Sequence, residues 1–106
     1  MGRPVGFFER ERYRQLRLHA LEDMCARRRD QSRYADALRL GLLAVQSEPL
    51  RETAHRQVMQ VHLAEGNAGE ALRQYDGFRR LLQAELGLPP SSAMRSLVDD
   101  VRHSGP

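Results

Sequence analysis

Apolar residues return every three or four positions along almost the whole chain, the spacing that gathers them on one face of a helix. The clearest case is the stretch 50–90. A first row runs Leu50, Ala54, Val58 and Val61 with Met59 and Leu63 beside it, and a second runs Leu72, Tyr75, Phe78, Leu81 and Leu82. Between the rows, Gly66 can take the left-handed backbone that ends one helix, while Asn67 and Glu70 have the side chains and spacing of a capping box that starts the next. The pattern predicts two antiparallel helices joined by a tight turn.

Upstream, a long helix is predicted over about residues 7–28, with Tyr13, Leu16, Leu18, Leu21, Met24 and Cys25 as its apolar positions. Its outer face mixes Glu9, Arg10, Glu11, Arg12 and Arg14, as solvated helix surfaces do. A second helix follows, with Ser32 as its expected cap and Tyr34, Leu38, Leu42 and Val45 along its apolar side. Pro49 suits the first turn of the helix after that. Gly41 and Gly77 both fall inside helices, where glycine is about 1 kcal/mol less favourable than alanine. Close helix approach is the expected reason at both. Asp76-Gly77 alone would suit a hairpin turn, but the apolar spacing from Leu72 to Leu82 runs through it unbroken. Beyond Leu86, LGLPPSS predicts a short extended linker, with Ser91 or Ser92 capping a last helix that carries Met94, Leu97, Val98 and Val101 on one face. Residues 1–6 and 103–106 are expected to be a flexible leader and a disordered tail around a single domain at 7–102.

A repeat organises these helices. Aligning YADAL with AGEAL places Ala37 on Ala71 and Leu38 on Leu72, an offset of 71 − 37 = 34 residues. That is the period of tetratricopeptide repeats. Ala37, Ala44 and Pro49 match the small, small and proline positions of the repeat, with Gly41 where an aromatic is usual. In the second unit Ala71 and Tyr75 fit, Phe78 stands where a small residue is usual, and residue 83 is not proline. The expected fold is therefore all-α: a TPR-like superhelix of hairpins pairing about 18–31 with 33–47 and 50–65 with 67–86. A final helix covers the open end, about five helices in all.

The run EPLRETAHRQVMQVHLAEGNAGEALRQYDGFRRLLQAELGLPPSSAMRSL resembles the C-terminal part of the bacterial transcriptional activator domain of SARP-type regulators of secondary metabolism. The residues that carry the likeness are Glu48, Pro49, Leu50 and Glu52, then His55, Val58 and Met59, then Gly66, Ala71, Leu72 and Tyr75, then Glu85, Leu86, Gly87, Pro89 and Pro90. FERERYRQLRLHALEDM is similar to the helix that precedes them in the family, so the resemblance covers about residues 7–101. It implies a TPR-like regulatory domain, normally joined to a winged-helix DNA-binding domain. These 106 residues hold no counterpart of that half. The expected partners are protein: a second copy in a homodimer, a fused or separate DNA-binding domain, or the transcription machinery.

Composition changes the picture only slightly. All 17 basic residues of the Lys+Arg count are arginine, a usage that fits a GC-rich genome better than any chemistry. Residues 1–33 hold nine arginines against five acids, so the basic excess belongs to the first helix. Arg10, Arg14 and Arg17 share a face there and would form a basic stripe, but the interleaved acids would neutralise part of it before any nucleic acid arrived. Direct nucleic-acid contact is accordingly disfavoured. The single cysteine, Cys25, excludes an internal disulfide and fits a reducing compartment. No apolar run reaches the ~18 residues of a membrane span, and the N-terminus lacks the apolar core of a signal peptide. A cytoplasmic protein is expected.

Candidate chemistry is sparse. His55 and His62 lie seven apart rather than the three or four that two metal ligands on one helix favour, and His55 reads as a hydrogen-bonded residue of the interior. Cys25 falls at a small-residue position of the repeat and reads as a buried, inert thiol. Asp99 and Asp100 point to different faces. No catalytic residue, metal site or cofactor is expected, and enzyme activity is the least favoured reading. In the repeat frame, the inner groove would expose His19, Glu22 and Arg29 from one unit and Thr53, Arg56 and Gln60 from the other. Arg29 and Arg56 could then hold an acidic peptide or a C-terminal carboxylate. The best functional reading is a regulatory interaction and oligomerisation module of a SARP-type activator. Its rivals are a stand-alone peptide-binding adaptor and a weak nucleic-acid binder.

Overall fold

A computed structural model describes residues 5–103. The order is α1 (Val5–Asp30), α2 (Tyr34–Ser47), α3 (Glu52–Ala64), α4 (Ala68–Leu86) and α5 (Ser92–His103), with no strand among the described residues. The all-α, TPR-like architecture expected from the repeat is present. Helices α1 and α2 pair, α2 and α1 both meet α3, α3 pairs with α4, and α5 closes the far end. The stack is elongated, 60 × 34 × 17 Å, and its radius of gyration of 15.3 Å exceeds the about 13 Å of a rounded domain this long. Residues 1–4 and 104–106 of the expected leader and tail lie outside the described residues, and α1 already begins at Val5.

Helix ends obey the repeat. The Arg33 N–H bonds to the Arg28 carbonyl at 2.8 Å and the Ser32 N–H to Arg29 at 2.9 Å; 34 residues on, Asn67 bonds to His62 at 2.8 Å and Gly66 to Leu63 at 3.0 Å. Both hairpins thus turn through the same Schellman closure, with Ser32 (φ 60°) standing where Gly66 (φ 85°) stands in the second. Ser32 is therefore the left-handed end of α1, not the cap of α2. Arg33 is the N-cap and makes no side-chain capping bond. Asn67 does occupy the N-cap of α4, but its side chain makes no capping bond and Glu70 pairs with Arg73 instead, so the capping box does not form. At the other boundary the expectation holds. Ser91 caps α5 by accepting the Met94 N–H at 3.2 Å.

The interior is a chain of small clusters. Leu18, Ala44 and Ala54 join α1, α2 and α3, and Cys25, Ala37 and Val61 form a second junction beside them. Met59, Ala71, Phe78, Leu82, Met94 and Val98 build the largest, at the α5 end. The α3 and α4 rows and the α5 face agree with the pattern. In α1 only Leu18 and Cys25 of the six expected positions are fully buried, whereas Tyr13, Leu16 and Met24 face outward. In α2 the buried line is Ala37, Gly41 and Ala44, with Leu42 at the surface. A helix pressed between two neighbours selects small residues where backbones come close.

Gly41 shows this best. A Cβ there would lie 3.0 Å from Val58 Cγ2 and 3.2 Å from Cys25 Sγ, both on fully buried side chains. Gly77 is different: its Cβ would meet nothing within 4 Å, so the close approach expected there is absent and the residue is simply a weak helix former. The two substitutions to alanine should therefore part in sign. Gly77→Ala should gain about 1 kcal/mol, and Gly41→Ala should lose about 1–3 kcal/mol through overpacking. Urea unfolding followed by circular dichroism reads both.

Candidate functional site

The inner face is set by α1 and α3 lying side by side, and the segment that links α2 to α3 fixes them. Glu48–Arg51 forms a turn, with the Arg51 N–H bonded to the Glu48 carbonyl at 3.1 Å and Pro49 at its second position, where a locked φ is favoured. Pro49 thus lies before α3 and outside it. Each residue from 48 to 52 then makes its own link to a neighbouring part of the stack. Glu48 accepts from Arg14 on α1. The Pro49 carbonyl accepts from His55, and Leu50 packs on the α5-end cluster. Arg51 donates through Nε and Nη2 to Glu22 Oε1 at 3.0 and 2.8 Å, and through Nη1 to Gln15 Oε1 at 3.0 Å. Glu52 accepts the Ser91 N–H at 2.8 Å and also the Ser91 hydroxyl, tying α3 to the start of α5.

Glu22 is only 6% exposed, so it does not line an open groove as expected; it is the buried acceptor of Arg51. His19 and Thr53 are exposed, and Gln60 is partly so. Arg29 donates to Gln57 Oε1 at 3.3 Å across the α1–α3 seam and lies 3.6 Å from Asp30. Arg56 leans on Glu52 at 3.5 Å, one turn back on its own helix, and its Nε is buried without a partner. No hydrogen bond or ion pair joins any two of these six among the described residues. Of the basic stripe, Arg14 is taken up by Glu11 and Glu48, and Arg17 donates to Ser47 Oγ at 3.0 Å; Arg10 is exposed.

The residues missed by periodicity are Arg51, Gln57 and Gln74. His55 explains the last. Its Nε2–H donates to the Pro49 carbonyl at 2.7 Å, which can only accept, so Nδ1 is left to accept from Gln74 Nε2 at 2.9 Å. The ring rests 4.5 Å from Phe78. Burial holds this imidazole below its ordinary pKa, with the Pro49 bond opposing, and burial likewise pushes the Cys25 thiol up. Both groups are neutral parts of the interior. Among the described residues, no three His, Cys, Asp or Glu side chains gather as a metal would need.

With this geometry in view, the match to known proteins is decisive. Residues 4–102 fit the model of the bacterial transcriptional activator domain. The chain belongs to that family. Regulatory protein AfsR of Streptomyces coelicolor is 30% identical over 103 residues, which cover 97% of this chain and 10% of that protein. The chain thus spans about a tenth of the length of this curated relative. No solved structure matches. The family is one of transcription regulators, and this activator domain is of the SARP, AfsR-like type. No helix among the described residues is long and apolar enough to cross a membrane.

Two measurements check the site. Arg51→Ala should destabilise this activator domain by about 3 kcal/mol, because it strands the Glu22 carboxylate in the interior. Replacing both Glu22 and Arg51 by methionine should restore most of that loss in urea titrations. For His55, a folded pKa depressed below the unfolded one means stability is full above about pH 6.5 and falls as the pH drops further. Thermal melts between about pH 7.5 and 5 should show this decline. The slope should shrink in His55→Gln.

Proposed function

We propose that this activator domain is a regulatory protein–protein interaction and oligomerisation module of a SARP-type regulator of secondary metabolism. It would act in the cytoplasm on a second copy, a DNA-binding domain or the transcription machinery. The observation that carries the reading is a family match across 4–102 on a fold whose apolar residues are divided between a thin interior and an exposed helix surface. Phe8, Tyr13, Leu16 and Met24 of α1 remain exposed, and such surface in a regulator is suited to protein contact. The groove supports a second contact. Arg29 and Arg56 border it with only neutral or weakly placed partners, so an acidic segment of a partner could displace Gln57 and Glu52.

Direct nucleic-acid binding through α1 is the weaker reading, since Arg14 is committed to Glu11 and Glu48. The test joins this chain to a DNA-binding domain that grips a palindromic operator only as a dimer. The fusion should raise operator occupancy in cells at least about tenfold over the DNA-binding domain alone, through the effective concentration that dimerisation supplies. Occupancy equal to that of the unfused domain would refute the oligomerisation role.

A further inference from the structure

Helix α1 carries two apolar faces. One, through Leu18, Cys25 and the partly buried Leu21, is packed against α2 and α3. The other is a stripe at four- and three-residue spacing, Glu9, Tyr13, Leu16, Ala20, Met24 and Arg27, and every member is exposed, Tyr13 at 71% and Leu16 at 57%. Over 18 residue steps it is about 27 Å long.

The repeat shows what such a stripe is for. Moved on by 34 residues, Leu16, Ala20, Met24 and Arg27 become Leu50, Ala54, Val58 and Val61. In the second unit Ala54, Val58 and Val61 are fully buried where α3 meets the helices before it: Ala54 with Leu18 and Ala44, Val58 against Gly41, Val61 with Cys25 and Ala37. The stripe on α1 is therefore the same helix-receiving face, left open in the first unit.

Its charges select the occupant. Along the stripe and its flank the order is Glu9, Arg12, Asp23, Arg27: acid, base, acid, base. Laid antiparallel on itself about residue 18, the stripe sets Glu9 opposite Arg27 of a second copy and Arg12 within one residue of Asp23. It also sets Leu16 over Ala20 and Tyr13 over Met24, a large residue against a smaller one each time. Parallel pairing would put Glu9 on Glu9. We propose that the α1 stripe is the interface of an antiparallel, twofold dimer of this chain, which rests on the oligomerisation reading above and supplies its surface. Arg10, Arg17 and Arg28 form a basic flank beside α2 that would face its own copy. That repulsion, together with a short contact at the low end of interface sizes, makes the dimer weak and concentration-dependent.

Sedimentation equilibrium of the whole chain, up to about 0.5 mM to suit so small an interface, tests this. The chain should dimerise. Leu16→Asp, at an exposed position that leaves the helix content unchanged by circular dichroism, should weaken the dimer at least about tenfold, as a charge buried in an interface core does. Glu9→Arg and Arg27→Glu should each weaken it several-fold, and the two together should restore it. A dimer indifferent to Leu16→Asp overturns this interface while the oligomerisation role stands, as does a failure of the double exchange to restore association. A chain that stays monomeric also overturns it and assigns the stripe to another occupant, such as a helix of a longer polypeptide. If the operator fusion fails as well, the oligomerisation reading falls with it.

Discussion

The contact on which the rest of the structure depends is the one between Arg51 and Glu22. Among the described residues it is the only place where the two repeat units are joined by charge inside the stack, and both side chains are largely shielded, 17% and 8% exposed. A carboxylate in such a position is stable only while its partner is held in place. Arg51 is held by its position in the turn that begins α3, where it is the N-cap residue and its own N–H closes the turn onto Glu48. The neighbours of Arg51 add further links, Glu48 to α1 as well, Pro49 to His55 and Glu52 to Ser91. The five residues EPLRE thus act as a hub. They set the angle between α1 and α3, and with it everything the inner face presents.

This hub clarifies why the fold was legible in the sequence and the site was less so. Helix faces are local, and three- or four-residue spacing reports them directly: the α3 and α4 rows, the Ser91 cap and the 34-residue offset all emerge in that way. Long-range polar pairing leaves no such trace. Glu22 reads as a surface residue because nothing within a few turns of α1 can hold it, and its partner lies 29 residues away in sequence. The EPLRE motif could be recognised as a family feature, but its reason, one link per residue, is a property of three elements at once.

Helix α1 is the second instructive case. Periodicity finds apolar residues on two of its sides and cannot say which is covered, so it groups Tyr13, Leu16 and Met24 with Leu18 and Cys25. The choice is made by α2, whose Ala37, Gly41 and Ala44 admit the backbone of its neighbours only on the Leu18 and Cys25 side. Gly41 and Gly77 teach the same lesson. Both interrupt a helix at the same propensity penalty, and only the neighbouring chain, present at one and absent at the other, distinguishes a packing requirement from an incidental residue.

The two ends of the stack are not equivalent, and that asymmetry bears on function. At one end Met94 and Val98 of α5 fill the largest cluster, and Gly87 (φ 65°) stops α4 so that the chain can turn back over it. A solenoid grows by covering an apolar face with the next unit, so an end filled in this way offers nothing further to stack on. At the other end α1 repeats the receiving face of α3 and leaves it in solvent. Its surface is apolar in the middle and charged at both limits, the composition of an interface with a dry centre and polar rim. On the proposed reading, a stack covered at α5 and exposed along α1 would direct association to a single surface. That restriction would let a small helical domain form a defined assembly in place of an open-ended filament.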